Sequence, residues 1–527
     1  MLHGQNYIGN TLSSETNKSF KTFNPILNKK NEFNFYEASK KEILDAVNLA
    51  QNAFQKYKLT SGKARASFLE AIVEEILLIQ ENIVEIYCKE TGLAVGRANG
   101  ELARTIGQLN KFAKLLKEGN WINASIDTGD PNKSPAIKPD LRKISIPLGP
   151  VVVFGASNFP LAYSTAGGDT VSALAAGCTV IVKSHPMHAG TGELVASAIV
   201  KAVIKCNLPS GVFSNLNSNG IQLGIDLVEN PVIKAVGFTG SFKAGRSLMN
   251  IANNREVPIP VFAEMGSVNP VIILKEILSK NIDSLSDQLS KSITLGSGQF
   301  CTNPGIIIGL KSKGFTDFSN LLAKKISDID SSCMLHPNII SNYNTNKSSI
   351  LNSPNVTNLT RFKNDQKANF PKQGLAFVSA NDFLKNKLLH NEVFGPFSLL
   401  VECDNLIELD NVLNNLEGQL TGTIMGTEKE ILNSKHLIET FKEKVGRLII
   451  NGVPTGVEVC ASMLHGGPFP ASSDSRFSAV GIHSIQRWVR PVSYQDFPDT
   501  LLPDELKNNN PLKITRLVNG VNTKKSI

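Results

Sequence analysis

Between Gly149 and Ser241 the chain alternates short apolar runs with stretches rich in small residues, and this alternation restricts the fold more than any other feature. "GPVVVFG" reads as a buried strand, "PLAYSTAGGDTVSALAAG" as a small-residue helix closed by Gly177, and "TVIVK" as the next strand. The pattern continues through "AVIKCNLPSGVFSNL" and "VIKAVGFTGS". Such alternation predicts a parallel sheet with helices on its faces. Ligands of these sheets sit outside the carboxyl ends of the strands. Three stretches fall there: Asn158 after the first strand, Lys183 after the second, and "GFTGSFKAG" after the apolar run Val232 to Phe238.

At 527 residues the chain is too long for one core and predicts two or three domains. Residues 40–118 read as helical; Phe68, Ile72, Ile76 and Leu77 fall near helical spacing, and Gly92 closes that pattern. "WINASIDTG" and "LRKISIP" predict two strands joined by a polar, proline-bearing connection. From the residues alone, an arm pairing with another subunit and an ordinary surface hairpin are equally open. Hydrophobic residues at 41% and charged residues at 19% suit a globular protein. No run of eighteen apolar residues occurs, so no membrane span is expected, and the N-terminus lacks the apolar core of a signal peptide. Seven cysteines, without CxxC or metal-ligand spacing to the eight histidines, predict reduced thiols in a cytoplasmic protein and no metal site. The formal charge of +8 is dispersed, with no basic stripe, so no nucleic-acid partner is expected. The polar C-terminal tail is expected to be loosely ordered.

Candidate chemistry lies at four places. Gly240 and Ser241 open a helical stretch with the spacing Gly240-x4-Gly245, which differs from GxGxxG. A glycine there admits a pyrophosphate to a helix N-terminus, although a serine cap serves equally without a ligand. Lys183 would reach a ribose or phosphate, or else snorkel at the surface. Cys301 sits in "SGQFCTN". A buried cysteine is ordinarily a small hydrophobe; a nucleophilic one needs activation, an oxyanion site and a route for acyl release. Glu264, in "VFAEMGSVNP", would act as a general base, a cap or one half of a buried ion pair. Asn158, in "GASNFP", would donate to an oxyanion or simply make a turn. A cysteine protease would pair the thiol with a histidine, and none lies near Cys301 in the sequence.

The ordered set Asn158, Lys183, Gly240 with Gly245, Glu264, Cys301 and then "NEVFGPF" with Glu392 and Phe394 resembles the aldehyde dehydrogenase superfamily, from about Asn6 to the C-terminus. Glu264 and Cys301 stand 37 residues apart, about the interval of that family. The resemblance implies Cys301 as nucleophile and Glu264 as the base that activates the thiol or the hydrolytic water. It implies an oxyanion site from the Asn158 side chain and the Cys301 N–H. Gly240, Ser241 and Gly245 would flank the cofactor pyrophosphate, Glu392 would hold the nicotinamide ribose, Phe394 would pack near the nicotinamide, and Lys183 would meet the adenosine ribose. A thiolate then adds to an aldehyde, hydride leaves to the nicotinamide, and water releases the acid from a thioester.

The implied fold is α/β: a doubly wound nicotinamide-binding domain (residues 1–120 and 147–262), an α/β catalytic domain (263–455), and a small β oligomerisation extension with the C-terminal segment (121–146 and 483–527). A homodimer or homotetramer follows. Where many members carry a ribose-binding glutamate three residues after the lysine, this chain has Pro186, which favours NADP while leaving NAD open. "FGASNFPLAYSTAGGDTVSALAAGCTVIVKSHPMHAGTGEL" and His465 to Pro498 are similar to the branch oxidising 2,5-dioxovalerate (2-oxoglutarate semialdehyde). A neighbouring branch oxidises long-chain fatty aldehydes. Arg104 is the candidate for a substrate carboxylate, against a solvated helix arginine, and Arg476 is a second candidate or an interface residue. A CoA-acylating enzyme would not need Glu264. A non-catalytic binding or structural relative would be expected to lose the Cys, Glu or Asn, all present here.

Overall fold

The computed structural model describes residues 2–362 and 367–527. Its first sheet has seven strands in the order Val261–Glu264, Ala235–Thr239, Val151–Phe154, Val180–Lys183, Phe213–Leu216, Asn6–Ile8 and Thr11–Ser13. The first five are parallel, and the N-terminal pair closes the edge antiparallel. Helices cover both faces, so Val151, Val152 and Val153 are fully buried and the strand reads as an unbroken apolar run. Strand order reverses beside Val151–Phe154, and a crevice opens there toward Ala235–Thr239.

The helical N-terminal region packs on this sheet. Ser39 and Glu42 form a reciprocal capping box on the helix Lys40–Tyr57. The single helical pattern expected up to Gly92 breaks at Ile79 into Gly62–Leu78 and Gln80–Thr91. Leu77 is exposed, and Phe68, Leu69, Ile72 and Ile76 form the buried stripe. Gly92 takes a left-handed φ of 66° that ends the second helix.

The small-residue helix is shorter than its sequence implies, running only from Gly168 to Ala176. Residues 160–167 are turns: the Tyr163 carbonyl accepts from the Ala156 N–H and the Gly167 N–H reaches back only to Ser164, so no continuous helical ladder forms, while the Leu161 and Ala162 N–H groups donate to the buried Glu101 carboxylate.

A second sheet runs Thr357–Asn358, Gly374–Ser379, Phe397–Cys403, Ile306–Leu310, Val271–Ile273, Gln419–Met425 and Val445–Ile450. It is parallel apart from its first strand. A third sheet joins Val489–Gln495, Leu141–Pro147, Ser125–Asp127, Arg516–Val518 and Val521–Thr523. The tail is therefore not loose: Arg516 is buried, and Leu517 N–H donates to the Ala124 carbonyl. Among the described residues one helical stretch, Pro186–Lys205, is long and apolar enough to cross a bilayer, and 78% of its most apolar window is buried inside the protein.

Candidate active site

The cysteine is presented by a sharp exit from the helix Lys275–Thr294. Gly296, Ser297 and Gly298 take φ values of 54°, 55° and 65°, three left-handed residues in succession. Glycine suits two of them; Ser297 holds its place through a hydrogen bond to Ser332 Oγ at 2.9 Å. A β-carbon on Gly298 would lie 2.3 Å from the Gly395 carbonyl group, so the thiol loop and the "NEVFGPF" loop touch backbone to backbone.

Asn269 fixes the other side of the thiol. Its Nδ2 donates to the Cys301 carbonyl at 2.8 Å and to the Asn303 carbonyl at 2.9 Å. Its Oδ1 accepts from Ser267 and from Thr421 Oγ1, tying the loop to the strand Gln419–Met425.

A cleft of about 840 Å³ lies at the crevice and is lined by Asn158, Gly240, Ser241, Glu264, Cys301, Glu392, Phe394 and His465, among others. Asn158 Nδ2 donates to the Gln299 carbonyl at 3.0 Å, which leaves its second N–H uncommitted. Cys301 is partly open to the cleft. Burial, Glu392 and Glu264 push its thiol up to about 12. His465 Nε2 stands 3.5 Å from the Cys301 sulfur. Burial and then the charges of Arg447 and Arg104 depress the imidazole to about 3, so it is neutral at physiological pH.

Glu264 ends the strand Val261–Glu264 and is buried, and its Oε2 has no hydrogen-bond partner. Burial raises its carboxyl well above the usual range, with Arg487 opposing. Burial pushes Glu392 to about 7, against a hydrogen bond from the Ser267 backbone. Gly266 lies directly beneath it: a β-carbon there would meet Glu392 Oε2 at 2.2 Å and push the carboxyl aside.

Four sequence candidates stand apart from that lining. Gly245 is buried, and a β-carbon there would meet Met265 Sδ at 2.7 Å, so its smallness serves helix–strand packing inside the domain. Lys183 Nζ donates to the Ser218 carbonyl at 2.9 Å, and burial lowers it to about 8. Arg104 donates to the Val457 carbonyl and, at 3.4 Å, to Tyr163 Oη. The Tyr163 ring lies 6.1 Å from the His465 ring, so Arg104 is linked through Tyr163 to the histidine beside the thiol. Arg476 is exposed and paired with Asp474. Among the described residues no three His, Cys, Asp or Glu side chains gather at a metal-binding distance.

Residues 12–472 match the aldehyde dehydrogenase family. The alpha-ketoglutaric semialdehyde dehydrogenase 2 of Azospirillum brasilense is 45% identical over 486 residues, covering 92% of this chain and 93% of the relative.

The chain belongs to the aldehyde dehydrogenase family.

The alpha-ketoglutaric semialdehyde dehydrogenase of Acinetobacter baylyi is 44% identical over 490 residues, covering 93% of each chain. The crystal structure of methylmalonate-semialdehyde dehydrogenase from Oceanimonas doudoroffii superposes with a TM-score of 0.79 at 18% identity, covering 94% of this chain and 99% of that one. The protein is thus an enzyme whose cofactor is a nicotinamide dinucleotide. The residues present fit that group. The cleft holds it by volume, Ser241 caps the twelve-residue helix Phe242–Asn253, and the glycine at 266 leaves Glu392 facing the open space.

His465 escaped the sequence reading, which found no histidine near the thiol. It lies 164 residues downstream of Cys301 and reaches it only because the chain returns across the edge of the first sheet, where Glu264 bridges Ser472. Asn269 was also missed, and its signal was local: an asparagine before proline, five residues after Glu264, that holds a φ of 45°.

Proposed function

We propose that this enzyme oxidises 2-oxoglutarate semialdehyde to 2-oxoglutarate through a thioester on Cys301. The observation that carries the reading is the convergence of Cys301, His465, Asn158 and Glu264 on one cleft, in a chain 45% identical to a relative named for that substrate. The Cys301 thiol loses its proton to water of the cleft, the neutral His465 imidazole, in the tautomer that carries its proton on Nε2, donates to the resulting thiolate, and the thiolate adds to the aldehyde carbon. The carbonyl oxygen takes the negative charge and receives the free N–H of Asn158 together with the Cys301 N–H. When bound, the nicotinamide ring supplies the hydride acceptor that converts this adduct to a thioester. Glu264, once ionised, takes a proton from water; the hydroxide adds to the thioester, and the carbon–sulfur bond breaks to give the acid and the Cys301 thiolate.

Arg104 is assigned to the far carboxylate of the substrate, exchanging the Val457 carbonyl for it, with Tyr163 alongside. The pair Lys183 and His185, and Pro186 where a carboxylate would repel a 2′-phosphate, favour NADP over NAD. Gly240, Ser241, Glu392 and Phe394 are assigned to the pyrophosphate, ribose and nicotinamide in turn. The outer strand Val489–Gln495 of the third sheet offers an unpaired edge for a second copy, and a homodimer or homotetramer follows. Seven free cysteines suit a reducing cytoplasm.

The test compares 2-oxoglutarate semialdehyde, succinate semialdehyde and a long-chain aldehyde, each with both cofactors. The highest kcat/KM is expected for 2-oxoglutarate semialdehyde with NADP; preference for the long chain by orders of magnitude rejects the substrate assignment. Cys301→Ser is expected to abolish turnover and leave cofactor binding near the parent value. An adduct trapped on any other side chain overturns the mechanism.

A further inference from the structure

The turn that carries Asn158 and the loop that carries Cys301 come from different domains, yet one side chain sits between them. Arg97 lies on the helix Val95–Glu118 and is about a quarter exposed. Its guanidinium is 4.5 Å from the Phe159 ring centroid and 4.9 Å from that of Phe300, the residues next to Asn158 and Cys301. Those rings meet edge to face at 5.4 Å and 83°. One guanidinium thus contacts both neighbours of the reacting groups. Its Nη2 also points at the Asn158 carbonyl, 3.5 Å away.

Arg97 is itself held in place. Its Nε donates to Glu101 Oε1 at 2.9 Å, one helical turn on, and Tyr87 Oη donates to the same oxygen at 2.7 Å. The second oxygen of Glu101 accepts the N–H groups of Leu161 and Ala162, at 3.2 and 3.4 Å. Glu101 is buried. One carboxylate therefore anchors the far end of the Asn158 turn and orients the cation that packs on its near end. A planar guanidinium stacks on aromatic faces in a way an ammonium does not.

We propose that Arg97, oriented by Glu101, is a positioning residue for the oxyanion site: it sets the register between the Asn158 amide and the Cys301 sulfur without touching the substrate. The proposal rests on the assignment of Cys301 and Asn158 given above. A misplacement of about 1 Å in such a site lowers the rate on the order of a hundred-fold.

The experiment is a double-mutant cycle on the full-length enzyme, crossing Arg97→Ala and Arg97→Lys with Asn158→Ala. It reads aldehyde kcat and KM, and NADP binding by fluorescence. Arg97→Ala is expected to lower kcat about 10- to 100-fold while aldehyde KM moves less than about three-fold. Arg97→Lys recovers only part of the loss. In the Asn158→Ala background Arg97→Ala costs less than about two-fold more, because the donor it positions is gone. NADP affinity stays near the parent value in every variant. If Arg97→Ala does not bind NADP, the same cycle is read with Arg97→Lys. Equal losses in both backgrounds, or a parent-like kcat in Arg97→Ala, overturn the proposal and leave the oxyanion assignment standing. A parent-like kcat in Asn158→Ala overturns that assignment and the proposal with it, whereas turnover by Cys301→Ser overturns the nucleophile assignment.

Discussion

At the scale of single residues, the site brings together a thiol and a carboxyl that both resist ionisation and a histidine that resists protonation. Burial causes all three shifts, and each has a consequence for pH. Because His465 stays neutral down to about 3, it does not titrate in the working range. His465→Gln is expected to slow alkylation of Cys301 by iodoacetamide at neutral pH about ten-fold or more, with the loss shrinking as pH rises. In the proposed role Glu264 is a base only when ionised, and its raised proton affinity moves the climb of kcat with pH above the ordinary carboxylate range. Glu264→Gln is expected to lower kcat on the order of 10²-fold and flatten that climb. A single-turnover burst of reduced nicotinamide survives in this variant, since acylation does not need the base. The same shift acts on stability. In the unfolded chain the carboxyl loses its proton near 4.5, while in the folded protein it keeps it to higher pH. Between the two the folded state binds more protons, so this group's contribution falls as pH rises. The Tm of Glu264→Gln, relative to the parent, is expected to improve from pH 5 to 8 in a thermal melt. A melt difference that shrinks with pH contradicts the assignment of a buried, protonated Glu264.

At the scale of elements, the exit from the helix Lys275–Thr294 and the Asn269 hub decide where the sulfur points. Asn269→Ala removes two donors to the thiol loop and leaves two buried carbonyls unpaired, a cost of about 2–4 kcal/mol in urea unfolding. Gly298→Ala drives a β-carbon into the Gly395 carbonyl and is expected to reduce both turnover and nucleotide affinity, because it displaces the loops of Cys301 and Glu392 together. Much of this level was legible in the sequence. Gly92 and Gly177 close their helices in the left-handed region that glycine enters without a β-carbon clash, with φ values of 66° and 100°. The strands that precede Asn158, end at Lys183 and lead into Gly240 followed from the alternation of apolar runs. The helix assigned from Pro160 failed for a reason beyond local propensity: the Ala156 N–H, outside the segment, takes the Tyr163 carbonyl that a helical ladder would offer to Gly167, and the Gly167 N–H bonds Ser164 instead.

At the scale of the whole molecule, both large sheets are parallel apart from their edge strands, and helices connect their parallel strands. The texture of "TVIVK" and "GPVVVFG" was therefore enough to read the first of them. The tail was not legible in the same way. Its strands Arg516–Val518 and Val521–Thr523 lie at a sheet edge, where polar residues face solvent and the apolar signal is thin. Removing residues from Arg516 onward is expected to lower Tm in a thermal melt, because the Leu517–Ala124 and Asn519–Ile126 backbone bonds are lost. The meeting of His465 with Cys301 was invisible for a different reason: it depends on the return of residues 465–473 between the two large sheets. That return is stitched on both sides. Met265 N–H donates to Ala471 and Ser473 N–H to Ala263 on one flank, and Gly418 N–H donates to Phe469 on the other. A seam of main chain between two lobes acts as a rivet: the mouth stays at one width, the dinucleotide enters a gap already open, and scattering profiles recorded with and without it should overlay.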